Sequence, residues 1–166
     1  MPPAQLTHVA LVYRIYFLYW EPAGALAGAY LCLFQPQRFL AGTVPRPAYL
    51  ALSSPAPTPS SPAARAVDIA PLLRLALTNV ASLYVLFAVN EALLLRRTRD
   101  RSLWCVVVAA MACADVGHIY AVWAIWPGRL AAAELPSWTS DEWINYGSLF
   151  AGLGLRILFL LGFGRR

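Results

Sequence analysis

Four ionisable side chains lie inside hydrophobic stretches of the sequence, and their types suit proton transfer. They are Glu21 in FLYWEPAGALAGAY, Asp115 and His118 in ADVGHIY, and Arg156 in GLGLRILFLLG. A carboxylic acid removed from water can stay protonated and donate, and a nearby imidazole can hold or relay the proton. We therefore take Glu21, Asp115 and His118 as candidate catalytic residues for proton transfer on a lipid-soluble substrate.

Arg156 is the expected partner of these acids. A charged side chain in the middle of a bilayer costs roughly 2.5 to 3.5 kcal/mol, so the four groups should face one another and not lipid. Asp115 and His118 are three positions apart and share one helical face. Arg156 is thus expected to contact Glu21 or Asp115. The structural alternative is a salt bridge from Arg156 to one carboxylate. That bridge does not account for the other acid or for His118.

A second group of polar residues follows the same hydrophobic segments. We assign to it five residues that bind a ligand or stabilise the bundle: Asn79, Asn90, Glu91, Asn145 and Arg156. Asn145 and Arg156 are 11 positions apart, as are Asn79 and Asn90, and this spacing returns to one helical face. For the asparagines the alternative is hydrogen bonding between helices, worth about 0.6 to 2 kcal/mol per bond.

Other kinds of chemistry find little support. Glu21, Glu91, Asp115 and His118 resemble an incomplete metal-binding set from a helical bundle, but a single histidine lies in a hydrophobic segment, so we predict no metal site. The sequence has no GxSxG, Walker, HExxH or dinucleotide-binding motif, so hydrolase, ATPase and dehydrogenase functions are not indicated and no cofactor is predicted. All 13 basic residues are arginines, which excludes a lysine Schiff base.

The composition is that of a membrane protein. Of 166 residues, 60% are hydrophobic and 13% charged, against about 45 to 50% and 25% in soluble domains. The mean hydropathy is +0.57. The net charge of +5 comes from arginines that mostly flank hydrophobic segments, so it indicates membrane topology and no nucleic-acid partner. Membrane lipids are the expected surroundings.

Four hydrophobic segments are long enough to span a bilayer. A helix needs about 20 residues to cross roughly 30 Å of hydrocarbon, and backbone polar groups in lipid must be paired within the helix. We therefore predict an all-α, four-helix transmembrane bundle forming one domain over residues 1–166. Its helices are expected at about 9–34, 70–95, 103–126 and 142–163.

The connecting segments differ in kind. Residues 35–69 contain SSPAPTPSSPAA and are predicted to form an extended loop, because proline and serine dominate. The short RRTRDR turn, residues 96–101, predicts an antiparallel hairpin. Thr139 and Glu142 have the spacing of a capping box at the start of the last helix.

Orientation follows from the basic residues. The RRTRDR turn would lie on the same side as both termini, and short loops rich in arginine remain in the cytosol. Both termini are therefore predicted to be cytosolic, and we expect an integral protein of the endoplasmic reticulum.

Four strings resemble a known family. FLYWEPAGALAGAY, NVASLYVLFAVNEALLLRRTRDRSLW, ADVGHIY and DEWINYGSLFAGLGLRILFLLG are similar to a family of small fungal four-helix membrane proteins defined as a domain of unknown function. This resemblance implies a fold but no activity. The architecture also resembles the emopamil-binding, or EXPERA, group of sterol isomerases and sterol-binding proteins, which implies a cavity for a sterol-like ligand.

Two functions remain open at this point. The first is a bundle that binds a sterol- or terpenoid-like ligand, or isomerises or cyclises it by protonation at Glu21, Asp115 and His118. The second is a non-catalytic membrane protein, such as an assembly, chaperone or transport-accessory protein, in which the buried charges fix the helix register.

Overall fold

The computed structural model describes residues 9–53, 71–98 and 100–164. Seven helices lie in this part of the chain. They are α1 (residues 11–34), α2 (Pro36–Thr43), α3 (Arg46–Ser53), α4 (Pro71–Arg97), α5 (Arg101–Ile125), a 3-10 helix (Ala132–Ser137) and α6 (residues 140–161).

Three of the helices could cross a membrane. By length and composition these are α4, α5 and α6. Although α1 is as long as a spanning helix, it falls outside this set, because Arg14, Glu21 and Pro22 interrupt its apolar sequence. The structure thus supports a helical membrane protein, with three candidate spans where the sequence predicted four.

The prediction of four helices is wrong, because part of the expected loop is helical. The segments α2 and α3 occupy residues that were assigned to the loop at 35–69. Pro36 lies in the first turn of α2 and Pro47 in the first turn of α3, where a missing backbone N–H leaves no helical bond unmade. Most of the Pro/Ser tract, from residue 54 onward, lies outside the described residues.

The long helices pack most closely as two pairs, α1 with α4 and α5 with α6. Ala29 and Cys32 of α1 are buried against Leu77 and Ala81 of α4. Gly28 permits this approach, since a Cβ atom there would lie 3.2 Å from the ring of Tyr84. The space between the two pairs becomes the cavity described below.

The bundle is closed at the end near the 96–101 turn, here called the turn end. A buried cluster joins all four long helices there: Tyr13, Phe17, Leu18, Leu95, Trp104, Val108 and Phe159. Pro22 cannot donate to the carbonyl of Leu18, and Arg96 Nη2 donates to that oxygen instead, at 3.1 Å. The proline of α1 thereby supplies an attachment point for α4.

The opposite end, here called the α2 end, is held by Glu142 and Tyr146. Glu142 accepts from Arg129 Nη2 at 2.7 Å and from the backbone N–H of Arg46 at 3.1 Å. The side-chain hydrogen bonding of Arg129 to Glu142 is the main reason that the pKa of Arg129 lies above its usual value. Tyr146 donates to the carbonyl of Thr43 at 3.0 Å. The first two turns of α6 thus fix both the 126–139 loop and the α2–α3 segment.

The predicted capping box is confirmed. Thr139 Oγ1 accepts from the N–H of Glu142 at 3.3 Å, and the Glu142 carboxylate accepts from the N–H of Thr139 at 2.8 Å. The sequence did not reveal that the same carboxylate also binds Arg129, because their 13-residue separation crosses a loop and a 3-10 helix.

Candidate functional site

Arg156 joins three helices through two carboxylates. Its Nη1 donates to Asp115 Oδ2 of α5 at 2.6 Å, and its Nη2 donates to Glu21 Oε1 of α1. The guanidinium group is almost fully buried, with 2% of the residue exposed. The predicted contact of Arg156 with one of the two acids is confirmed, and the structure shows that it binds both.

Gly152 makes room for this arrangement. A Cβ atom at Gly152 would lie 2.7 Å from Arg156 Nη1 and 2.7 Å from the hydroxyl oxygen of Tyr16. Real Cβ atoms do not come that close to other heavy atoms, so a side chain here would displace the arginine or the tyrosine. The glycine one turn before Arg156 is therefore part of the ionic centre.

Glu91 has a different environment from the other two acids. It is fully buried, at 0% exposure, and neither of its carboxylate oxygens has a hydrogen-bond partner among the described residues. A carboxylate buried without a partner costs several kcal/mol, so the neutral acid is the favoured form of such a group. Glu91 can therefore donate a proton, whereas Glu21 and Asp115 are held as ion-pair partners of Arg156.

These groups line one cavity of about 440 Å³ between the two helix pairs. All four long helices and α2 contribute to its polar lining, which is made of Tyr16, Glu21, Arg38, Thr43, Glu91, Asp115, His118, Asp141, Asn145, Ser148 and Arg156. Its apolar lining includes Trp20, Leu31, Phe39, Tyr84, Phe87 and Met111. The cavity thus combines an apolar wall with a polar centre rich in acids.

Three of the four long helices contain a π-helical turn beside the polar centre. The turns are Tyr16–Trp20 in α1, Asn90–Leu94 in α4 and Trp143–Gly147 in α6. A π turn inserts a residue and so changes which side chains face inward, and such turns occur frequently at functional sites. Tyr16, Glu91 and Asn145 lie within these turns and all line the cavity.

Most of the residues singled out from the sequence meet at this cavity. Glu21, Asp115 and His118, the candidate proton-transfer group, all line it. So do Glu91, Asn145 and Arg156 from the second group. The side-chain nitrogen of Asn145 is buried and has no partner within the described part of the chain.

Asn79 and Asn90 do not line this cavity. Asn79 is exposed and precedes Tyr84, a lining residue, by five positions, which is roughly 140° around a helix. Asn90 is half-buried, while the adjacent Glu91 is buried and faces the cavity. Tyr84, Phe87 and Glu91 follow the regular spacing of one helical face, and Asn90 lies one position before Glu91, beside that face.

Sequence reasoning missed Tyr16 and gave Glu91 a secondary place. Tyr16 looks like one of several aromatic residues in a hydrophobic segment, and nothing in its spacing from Glu21 indicates a shared cavity. The Asn-Glu pair in a hydrophobic stretch was the available signal for Glu91, since an unpaired acid in such a position is unusual. In the part of the chain that the structure describes, no three histidine, cysteine, aspartate or glutamate residues are grouped to hold a metal ion.

Comparison with known proteins gives one match. A family model described as a domain of unknown function, DUF7704, matches residues 6–166. No curated protein and no solved structure matches the chain. The coarse resemblance read from the sequence, to a family defined as a domain of unknown function, is thereby confirmed.

Proposed function

We propose that this chain, which belongs to the DUF7704 family, binds a sterol- or terpenoid-like lipid in its central cavity and transfers a proton to it from Glu91. The observation that carries the proposal is the fully buried carboxyl group of Glu91, which has no partner among the described residues and faces a cavity of about 440 Å³. A structural acid would be expected to have a cation beside it.

The cavity suits a lipid with one polar group. Its volume falls within the roughly 300 to 1,000 Å³ of small-molecule sites, which are mostly apolar with a few placed polar groups. Glu21 Oε2 and the side-chain nitrogen of Asn145 are buried and lack partners in the described structure. The first can accept a hydrogen bond and the second can donate one, so a ligand hydroxyl would satisfy either.

The proposed reaction moves a double bond. The carboxyl group of Glu91 adds its proton to one carbon of the double bond, which leaves a positive charge on the neighbouring carbon. The ionised acids Glu21 and Asp115 stabilise this charge by electrostatic attraction. His118 then removes a proton from an adjacent carbon and returns it to Glu91, so that atoms and charge balance without an oxidant or reductant.

Lipid analysis of purified variants tests this proposal. We expect lipid extracted from the parent protein to contain a sterol or terpenoid, detected by mass spectrometry as two double-bond isomers. Glu91→Gln and His118→Gln should fold normally and hold the unreacted isomer, with turnover lowered at least about 100-fold, because acid–base groups contribute that much. Asn79→Ala, an exposed polar change on the same helix, is the matched control.

Two outcomes would contradict the proposal. If bulk phospholipid is the only lipid extracted from the parent protein, the protein holds no such ligand. Unchanged isomer ratios in both folded variants would show that Glu91 and His118 carry no proton.

One observation favours the second function, a non-catalytic membrane protein. Arg156 connects α1, α5 and α6 through Glu21 and Asp115, which is the arrangement expected of charges that fix helix register. On this alternative the protein serves as an assembly, chaperone or transport-accessory subunit, and Glu91→Gln would change stability while leaving any bound lipid in place.

The same proposal includes a cellular setting. We propose that α1 crosses the membrane beside α4, against which it packs, as a fourth span. We further propose that the protein resides in the endoplasmic reticulum membrane with both termini in the cytosol, on the strength of the four arginines in the RRTRDR turn. A fungal origin and an EXPERA-like relationship remain hypotheses that rest on sequence strings and architecture. Sterol or terpenoid chemistry in the same membrane would supply the proposed ligand.

A further inference from the structure

One wall of the cavity is made of side chains that are also exposed on the outside of the bundle. On α1 these are Trp20, Gly24 and Ala27, and on α6 they are Ile144 and Ser148. A residue that both lines a cavity and lies on the outer surface marks an opening. The opening runs along the side of the bundle, between α1 and α6.

No atom of the described residues crowds the opening at Gly24. A Cβ atom added there would meet nothing within 4 Å, in contrast to Gly28 one turn later, where Tyr84 is 3.2 Å away. The two glycines of α1 therefore have different roles. Gly28 lets α4 approach, and Gly24 leaves a gap at the edge of the cavity.

Polar groups without partners lie behind this gap. Glu21 Oε2 and both carboxylate oxygens of Glu91 are buried and unpaired in the described structure. All of them belong to residues that line the same cavity as Gly24. A lipid that enters through the gap would bring its polar group to these atoms and keep its apolar body against the cavity wall.

The two ends of the bundle differ as routes. At the turn end, Phe17 and Val108 are fully buried at 0% exposure in the cluster that closes the bundle. The α2 end is open in part, because Arg38 of α2 and Asp141 of α6 line the cavity and are exposed, but a route past these charged side chains would take a lipid out of the hydrocarbon. A lipid dissolved in the bilayer would not have to leave it to use the side opening.

We infer that the ligand reaches the polar centre sideways from the bilayer, through a portal between α1 and α6 formed by Gly24, Ala27 and Ser148. This inference rests on the proposed function, because it assumes a lipid ligand. It adds that the ligand is taken from within the membrane and that the small side chains at the portal control the rate of exchange.

Exchange kinetics in nanodiscs test the portal. The probe is the fluorescent sterol dehydroergosterol, delivered from phosphatidylcholine vesicles and detected by energy transfer from the tryptophans. Gly24→Phe and Ala27→Phe should lower the association and dissociation rates together, by about tenfold each, and leave Kd within about twofold. A barrier on the route affects both directions equally, whereas a lost contact changes affinity.

Two further variants serve as controls. Gly154→Phe adds the same ring on α6 outside the cavity lining, where a Cβ atom also meets nothing within 4 Å, and it should leave the rates unchanged. Ala114→Phe tests another route, because Ala114 of α5 is exposed and lines the cavity as well. Melting temperatures of all variants verify folding.

The outcomes separate the portal from the function. If the parent binds no sterol probe, the proposed sterol function fails and the portal inference falls with it. If the parent binds but Gly24→Phe and Ala27→Phe exchange at the parent rate, the portal alone is wrong. If Ala114→Phe slows exchange and the portal variants do not, the route lies between α4 and α5. If the portal variants weaken binding at an unchanged association rate, the portal residues contact the bound ligand and do not control its entry.

Discussion

At the scale of residues, the three buried acids of the cavity differ in their partners. Glu21 and Asp115 share the single guanidinium group of Arg156, and Glu91 has no partner within the described residues. Sequence reasoning grouped the acids by membrane depth and took Glu21 and Asp115 for the proton donors. Because Glu91 is the one of these three acids without a cation among the described residues, the proposed function assigns the proton transfer to it.

Arg156→Leu should destabilise the protein by about 3 to 5 kcal/mol, because it leaves two buried carboxylates without a cation. The triple variant Arg156→Leu, Glu21→Gln, Asp115→Asn should recover much of this loss, since no buried charge remains. Unfolding in detergent, followed by circular dichroism, measures the difference. An Arg156→Leu protein as stable as the parent would rule out a buried ionic centre.

At the scale of elements, the positions of the long helices could be predicted from hydropathy. The observed helices 11–34, Pro71–Arg97, Arg101–Ile125 and 140–161 begin and end within about two residues of the predicted segments. Two features could not be predicted in this way. A π turn leaves no trace in a hydropathy pattern, and α2 and α3 are short helices with prolines in their first turns that resemble a polar loop in composition.

The residues that line the cavity on α4 and α2 show what the sequence could and could not place. The 11-residue spacing put Asn79 and Asn90 on one face, whereas Tyr84, Phe87 and Glu91 form the face of α4 that lines the cavity. Phe39 and Thr43 of α2 line the cavity, yet they lie in a segment that was predicted to be a loop. The polar centre was predictable from membrane depth and charge, and the rest of the cavity required the tertiary structure.

Glu142→Ala should lower the melting temperature far more than Thr139→Ala. The cap at Thr139 is worth about 0.5 to 2 kcal/mol. Glu142 is fully buried and also binds the buried Arg129, so its removal leaves a cation without its main partner and costs about 3 to 5 kcal/mol. Thermal unfolding of the two variants in detergent gives the ranking, and equal losses would mean that Glu142 acts as a helix cap and nothing more.

At the scale of the whole molecule, the bundle is closed at the turn end and carries a side opening in its middle. Few residues of the three candidate spans are buried, between 17% and 22% of each most apolar window. Such helices bury little against one another and present most of their apolar surface outward. That surface is suited to lipid, since a soluble protein of this composition would have to cover it.

The orientation proposed for this molecule gives a direct prediction. Protease added to sealed microsomes should remove tags from both the N-terminal and the C-terminal end, because the arginine-rich turn retains both on the cytosolic side. A tag inserted in the 54–70 segment should be protected until the membrane is dissolved. Protection of either terminal tag would reverse the orientation and place the RRTRDR turn in the lumen.

The ion pairs of Arg156 also have a consequence for how the protein is made. Glu21 precedes Arg156 by 135 positions and Asp115 precedes it by 41. At about 5 to 20 residues per second, a ribosome takes roughly 7 to 27 s to synthesise the chain between Glu21 and its cation. During that time the nascent chain carries acids that no arginine has yet neutralised, so α1 should settle stably in the bilayer after α6 arrives. A ribosome that stops before α6 would release a chain that quality control can recognise by its unpaired acids.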